Sequence, residues 1–263
     1  MISRKLNNLD KILSGMDSVA IALSGGVDSS FLVHRASQIK GLKVLAITVR
    51  TPYMPSRETN EAREFCNNYN IPIEVLEIDF PDETIRNNPP ERCYLCKRHL
   101  FSHLIEFARQ KGYSHIADGS NADDTKSYRP GLRALSELSV RSPLAESELT
   151  KNDIRQASKK AGLPIWDKPA MACLLTRLPY NVNVTEKDLK MIDEAEYFLF
   201  EKGFYGTRVR KHGDIARIEC MPGFIEKMVN SPERDFITDK LKKIGFRYVS
   251  LDLEGYRSGS MDI

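Results

Sequence analysis

The chain is poor in the features that mark membrane, secreted or nucleic-acid-binding proteins. It has no run of 18 apolar residues, whereas a membrane-crossing helix needs about 20. Its opening, MISRKLNNLDKIL, carries no signal-peptide apolar core, so a cytoplasmic protein with no membrane partner is expected. Charge of one sign is missing too. The 39 basic residues face 36 acidic ones, and a net charge of +3 does not by itself argue for nucleic acid. Five cysteines, an odd number, do not make a secreted disulfide framework, so metal or catalytic use comes first. There is no internal repeat and no low-complexity segment. What remains is an ordinary globular composition in 263 residues, enough for one large domain or two modest ones.

Apolar runs of strand length alternate with helical patterns through the first two thirds. Strands are expected at 18–23, 43–49, 73–78 and 115–118, and helices at 29–39, 57–69 and 95–111. Such alternation implies an α/β fold, a parallel sheet with helices on both faces. Near residue 180 the pattern changes to a helix at 185–202, strands at 206–211 and 216–220, helices at 224–229 and 234–244, and a strand at 248–253. This predicts two domains, 1–180 and a smaller α+β domain over 181–263 for substrate binding or oligomerisation.

The stretch LSGGVDSS (23–30) falls at the first strand-to-helix turn. Free backbone N–H groups and the positive end of a helix dipole suit phosphate there. Glycines permit close approach and positive φ, and serine hydroxyls add donors. No Gly-Lys-Ser/Thr follows, so this is not a Walker A loop, and the G-x-G-x-x-G spacing is absent. The plainer alternative is a glycine-rich turn with an Asp/Ser cap.

SGGVDSS is similar to the SGGxDS signature of the PP-loop ATP pyrophosphatases. The resemblance implies ATP cleaved between its α and β phosphates, giving an adenylated substrate and pyrophosphate. It implies Ser24, Gly25, Gly26, Ser29 and Ser30 around pyrophosphate, and Asp28 on Mg²⁺, a cation that prefers carboxylate and phosphate oxygens. GSNADD (119–124) resembles the glycine and acidic pair that such families carry after a later strand. Gly119, Asn121, Asp123 and Asp124 are then expected near the nucleotide and its metal. Taken alone, the acidic pair also reads as a helix cap with a solvated neighbour.

Cys93 and Cys96 lie in RCYLCKRHLF, and Cys173 in KPAMACLLTRLPY. A lone Cys-x-x-Cys is compatible with half a zinc ribbon, a redox dithiol or a structural pair. No second pair is present to close a four-cysteine zinc site. Three thiolates fit a [4Fe–4S] cluster with one iron open to sulfur or substrate; zinc and dithiol or persulfide chemistry stay open. Cys66 and Cys220 read as core residues.

DDTKSYRPGLRALSEL, VRSPLAE, GLPIWDKPAMACLLTRLPY, RVRKHGDIARIE and LDLEGYRSGSM together resemble the LarE family of pyridinium-3,5-biscarboxylic acid mononucleotide sulfurtransferases, along nearly the whole chain. The resemblance implies adenylation of a pyridinium carboxylate and its conversion to a thiocarboxylate, toward the nickel-pincer nucleotide of lactate racemase. It implies Cys173 as the catalytic sulfur residue, which some members surrender to leave dehydroalanine. Members with the additional Cys-x-x-Cys resemble the cluster form, with Cys93, Cys96 and Cys173 as ligands. Expected cofactors are ATP, Mg²⁺ and the cluster; the expected partners are a small-molecule substrate and further copies of the chain.

Arg208 and Arg210 alternate on one strand face, suited to a substrate phosphate through forked hydrogen bonds or, more plainly, to solvent. Glu196 and Glu219 are candidates for a metal or substrate carboxylate pocket, and Trp166 for packing beside Pro164 and Pro169. Three other functions compete. A PP-loop tRNA thiolase needs a concentrated basic patch, and the basic residues here are dispersed. An ammonia-using amidotransferase of the NAD-synthetase kind leaves the cysteines incidental. A nucleotide-binding regulator leaves the coincidence of Asp28, GSNADD and three placed cysteines unexplained.

Overall fold

The computed structural model describes residues 2–80, 83–126, 130–169, 172–257 and 259–261. Parts of three stretches quoted above, at 127–129, 170–171 and 258, lie outside the described residues. In chain order the elements are α1 (Ile2–Ser14), β1 (Ser18–Ala22), α2 (Val27–Ser37), β2 (Lys43–Arg50), α3 (Ser56–Asn68), β3 (Ile73–Glu77), α4 (Glu83–Arg86), α5 (Arg92–Gln110) and β4 (His115–Ala117). There follow α6 (Pro130–Glu137), α7 (Pro143–Glu146), α8 (Lys151–Lys160), α9 (Glu186–Glu201), β5 (Arg208–His212), β6 (Ile215–Glu219), α10 (Ile225–Val229), α11 (Glu233–Ile244) and β7 (Tyr248–Leu251). No helix among the described residues is long and apolar enough to cross a membrane.

The chain forms two compact units. The first comprises Met1–Thr51, Ser56–Pro81 and Glu91–Met171; the second comprises Pro52–Pro55, Asp82–Pro90 and Ala172–Ile263. In the first unit four parallel strands lie in the order β3-β2-β1-β4. Val19, Ala20 and Ile21 of the inner strand β1 are fully buried, which is why that strand reads as an unbroken apolar run. Leu9 and Leu13 of α1 join Leu32, Val33 and Leu144 in the same core. α8 begins at a capping box, in which the Thr150 hydroxyl accepts from Asp153 N and the Asp153 carboxylate accepts from Thr150 N.

The second unit holds a three-stranded sheet, β5-β6-β7, with β5–β6 antiparallel and β6–β7 parallel. Its core gathers Phe198 and Leu199 of α9, Val209, Ile218, Leu241 of α11, and Phe246. A capping box at Thr185 and Asp188 starts α9. Asn88, fully buried, donates its side-chain amide to the carbonyls of Leu178 at 3.2 Å and Pro179 at 2.8 Å.

Candidate active site

From β1 the chain passes outward to β2 and β3 on one side and returns to β4 on the other. The carboxyl end of β1 is therefore the sheet's switch point, where open α/β sheets bind ligands. Residues 23–26 occupy that end and lead into α2. Gly25 has φ +71°, and a Cβ there would lie 3.2 Å from the Glu58 carbonyl oxygen. The Ser24 N–H donates to Ser29 Oγ at 3.2 Å. Ser30 Oγ is buried without a partner among the described residues. A Cβ on Gly119 would lie 2.8 Å from Ser29 N and 2.9 Å from its Cα. The glycine of GSNADD is thus required by backbone meeting backbone, and the two sequence-predicted loops share one site.

Asp28, in the first turn of α2, joins them. Its Oδ2 accepts from Lys151 Nζ at 2.6 Å and from Asn121 Nδ2 at 3.4 Å. Its Oδ1 is buried with no partner among the described residues. Burial pushes the Asp28 carboxyl above its ordinary range, against the pull of Lys151 and with Asp124 adding to the rise. Asn121 Oδ1 accepts from the N–H groups of Asp123 at 2.9 Å and Asp124 at 3.3 Å, and Asp124 Oδ2 accepts from Asn121 N at 3.0 Å. Asp123 Oδ2 accepts from the Lys151 N–H at 2.9 Å. A hard divalent cation suits this donor set: one carboxylate oxygen is open, and a second carboxylate stands near enough to perturb it.

Two residues of this site were not singled out in the sequence. Lys168 donates to the Gly25 carbonyl at 2.7 Å and to Glu61 Oε2 at 2.5 Å, steadying the loop. Lys151 is the first residue of α8, where the helix dipole disfavours a cation. Thr-Lys-Asn-Asp (150–153) shows both the capping box and that misplaced lysine, so a signal was present. Trp166 lies under Lys159 Nζ, 4.3 Å from its ring centre, and the Trp166 carbonyl accepts from Arg155.

Cys93 and Cys96, three residues apart, sit near the start of α5, Cys93 exposed and Cys96 half-buried. Cys173 belongs to the second unit, half-buried just before a 3₁₀ turn, Leu174–Arg177. Among the described residues no three His, Cys, Asp or Glu side chains are gathered as a metal-ion ligand set. Cys66 and Cys220 are fully buried, and burial pushes the Cys66 thiol up to about 12.

Arg177, 1% exposed, fastens the Cys173 segment. Its Nη1 donates to the carbonyls of Ala172 at 2.9 Å and Cys173 at 3.2 Å, while Nε and Nη2 grip Glu196 at 2.9 and 3.0 Å. Glu196 Oε1 also accepts from Val209 N at 2.9 Å. Although Glu196 is buried, Arg177 holds its carboxyl below the ordinary range. Glu219 Oε2 accepts from Nε and Nη2 of Arg210, and its Oε1 accepts from Arg217 and Ser260 Oγ. The third arm of Arg210, Nη1, donates to the Thr176 carbonyl at 2.9 Å. Arg208 is buried too, with its guanidinium 5.4 Å from the Tyr256 ring centre. Both glutamates are thus engaged by arginines, and Arg210 by Glu219 and the chain.

No protein-family profile matches the chain. It is 37% identical to an uncharacterized protein of Synechocystis, over all of this chain and 98% of that one. A tRNA-specific 2-thiouridylase of Desulforamulus reducens is 26% identical over 57% of this chain and 52% of its own length. A pyridinium-3,5-bisthiocarboxylic acid mononucleotide synthase of Lactiplantibacillus plantarum is 33% identical over 99% of this chain and 95% of its own. Matched at that level along almost the full length of both proteins, the chain belongs to the family of that synthase.

Proposed function

We propose that the protein is an ATP-dependent sulfurtransferase that converts a pyridinium carboxylate mononucleotide to its thiocarboxylate, as a step toward a nickel-pincer nucleotide. The observation that carries the reading is the convergence of Ser24–Ser30 with Asn121, Asp123 and Asp124 around the open oxygen of Asp28. Similarity to the Lactiplantibacillus synthase over 99% of this chain supports the substrate class.

A carboxylate is a poor electrophile, and adenylation gives it a leaving group. The substrate carboxylate attacks the α-phosphorus and the bond to the bridging oxygen breaks, releasing pyrophosphate. A sulfide-level sulfur then attacks the acyl carbon, and the carbon–oxygen bond to AMP breaks, with AMP leaving on its electron pair. The N–H groups and hydroxyls of residues 24–30 and the positive end of α2 hold the departing pyrophosphate. Asp28 would hold Mg²⁺ through Oδ1, with Asp124 as second carboxylate; the ion supplies charge neutralisation. In the second unit, Arg177 fixes the backbone at Cys173, the proposed sulfur residue. Arg208, buried beside Tyr256, and Arg210, which Glu219 holds in place, are the cations proposed for the substrate phosphate.

For sulfur supply we propose a [4Fe–4S] cluster on Cys93, Cys96 and Cys173, which would provide an iron able to carry exogenous sulfur. Its support is the donor set: three thiols, two of them on one helix turn.

The test is incubation with ATP, Mg²⁺, sulfide and pyridinium-3,5-biscarboxylic acid mononucleotide, with unmodified tRNA as the alternative acceptor. Thiocarboxylate, AMP and pyrophosphate in equal amounts support the reading; thiolated tRNA with no thiocarboxylate overturns it. Anaerobic iron and sulfide analysis tests the cluster, which Cys93→Ala should abolish and Cys66→Ala should leave. Intact mass after turnover separates the routes at Cys173, because a sacrificed cysteine loses the mass of H₂S.

A further inference from the structure

Lys151 belongs to no motif of the loop, yet it touches both acidic arms of the site. Its backbone N–H is spent on Asp123 and its ammonium on Asp28, 2.9 and 2.6 Å away. The backbone contact lies within the Thr150–Asp153 capping box, which restrains the Cα. The side chain is a different matter: it is about a third exposed, on a flexible four-carbon stem. A lysine at the first position of a helix also gains nothing from the helix dipole, so its placement has another cause.

The ammonium rests on Asp28 Oδ2, while Oδ1 of the same carboxylate is buried and unpartnered among the described residues. Two cations cannot both sit against this one small carboxylate without repelling, whereas a polyphosphate beside it offers Lys151 new oxygens within stem reach. We infer that Lys151 is an exchangeable counter-ion: it occupies Asp28 in the nucleotide-free enzyme, yields to the divalent cation, and moves onto the pyrophosphate portion of ATP. It is a positioning residue whose two contacts alternate. No bond is made or broken, and the fixed Lys151 N–H to Asp123 is the pivot. The inference rests on the pyrophosphatase reading above.

That assignment requires two effects of opposite sign from one substitution. In Lys151→Met, Mn²⁺ binding to the nucleotide-free protein, read by electron paramagnetic resonance, should tighten by about three- to tenfold because a competing charge is gone. Binding of pyrophosphate with Mg²⁺, read by calorimetry, should weaken by about tenfold or more because a phosphate partner is gone. Lys151→Gln should shift both in the same directions, and Asp28→Asn should abolish Mn²⁺ binding. Weakening of both ligands would mean that Lys151 only braces the site, and unchanged Mn²⁺ affinity would mean that it never competed; either overturns the inference. If the unaltered protein bound neither Mn²⁺ nor pyrophosphate, the pyrophosphatase reading would fall instead.

Discussion

Asp28 in the first unit, half-buried, and Glu219 in the second, fully buried, are both carboxylates beside a cation, and they are finished in opposite ways. Glu219 is 0% exposed, and both oxygens are filled by Arg210, Arg217 and Ser260. Asp28 has one oxygen on Lys151 and one on nothing that the described residues provide. A fully satisfied buried ion pair specifies a structure; a half-satisfied one leaves coordination for something that arrives. Glu196 stands with Glu219, since Arg177 grips it at two points. Asp28 keeps an open oxygen, whereas Glu196 and Glu219 have both of theirs engaged.

Breaking the open side should have the largest effect. Asp28→Asn is expected to lower pyrophosphate release from ATP by about 100-fold or more, in a phosphate-release assay. Its thermal midpoint should hold or rise, because burial makes the ionised Asp28 a burden on the fold. A normal rate of ATP cleavage would remove Asp28 from the site. On the closed side, Glu196→Ala leaves the Arg177 guanidinium buried and unpaired, at a cost of about 3–5 kcal/mol in urea unfolding. Alkylation of Cys173 should accelerate in that variant, since Arg177, which anchors the segment through Nη1, has lost the carboxylate that fixes its other arms.

Smaller effects sharpen the contrast. Gly119→Ala drives a Cβ into the Ser29 backbone, and about 1–3 kcal/mol of destabilisation is expected, with weaker pyrophosphate binding in calorimetry. The smallest effect is a slope with pH. Glu196 has a folded value below its unfolded one, about 4.3, so its contribution is full above that pH and is lost as pH falls through the folded value. Asp28 shifts upward, so its contribution is full below the unfolded value and is lost as pH rises through the folded one. Acid titration of stability should therefore be shallower in Glu196→Gln and steeper in Asp28→Asn. Equal slopes in both would contradict the comparison.

What could be read in the sequence follows the range of the forces involved. Strands and helices were visible because burial imposes local periodicity, and β1 through β4 fall within a few residues of their expected bounds. The loop at 23–30 and GSNADD could be paired because both follow strands of one parallel sheet. Cys66 read correctly as core because it sits on the apolar side of α3 with Ala62 and Phe65. α1 is not legible as a helix although Leu6, Leu9 and Leu13 have helical spacing, because polar residues between them mask the pattern. Arg177 with Glu196, and Lys168 with Gly25, could not be read at all. Such contacts join residues distant along the chain, and nothing local marks which arginine or lysine will be buried.

Asn88 carries a consequence for how the protein is made. Its amide waits for the carbonyls of Leu178 and Pro179, which leave the ribosome long after it does. At roughly 5–20 residues per second the interval is on the order of 5–20 s. During that time residues 83–90 belong to a unit whose other residues are largely not yet synthesised. A chain released early, before residue 180, would expose that segment permanently, and a quality-control protease would find its foothold there.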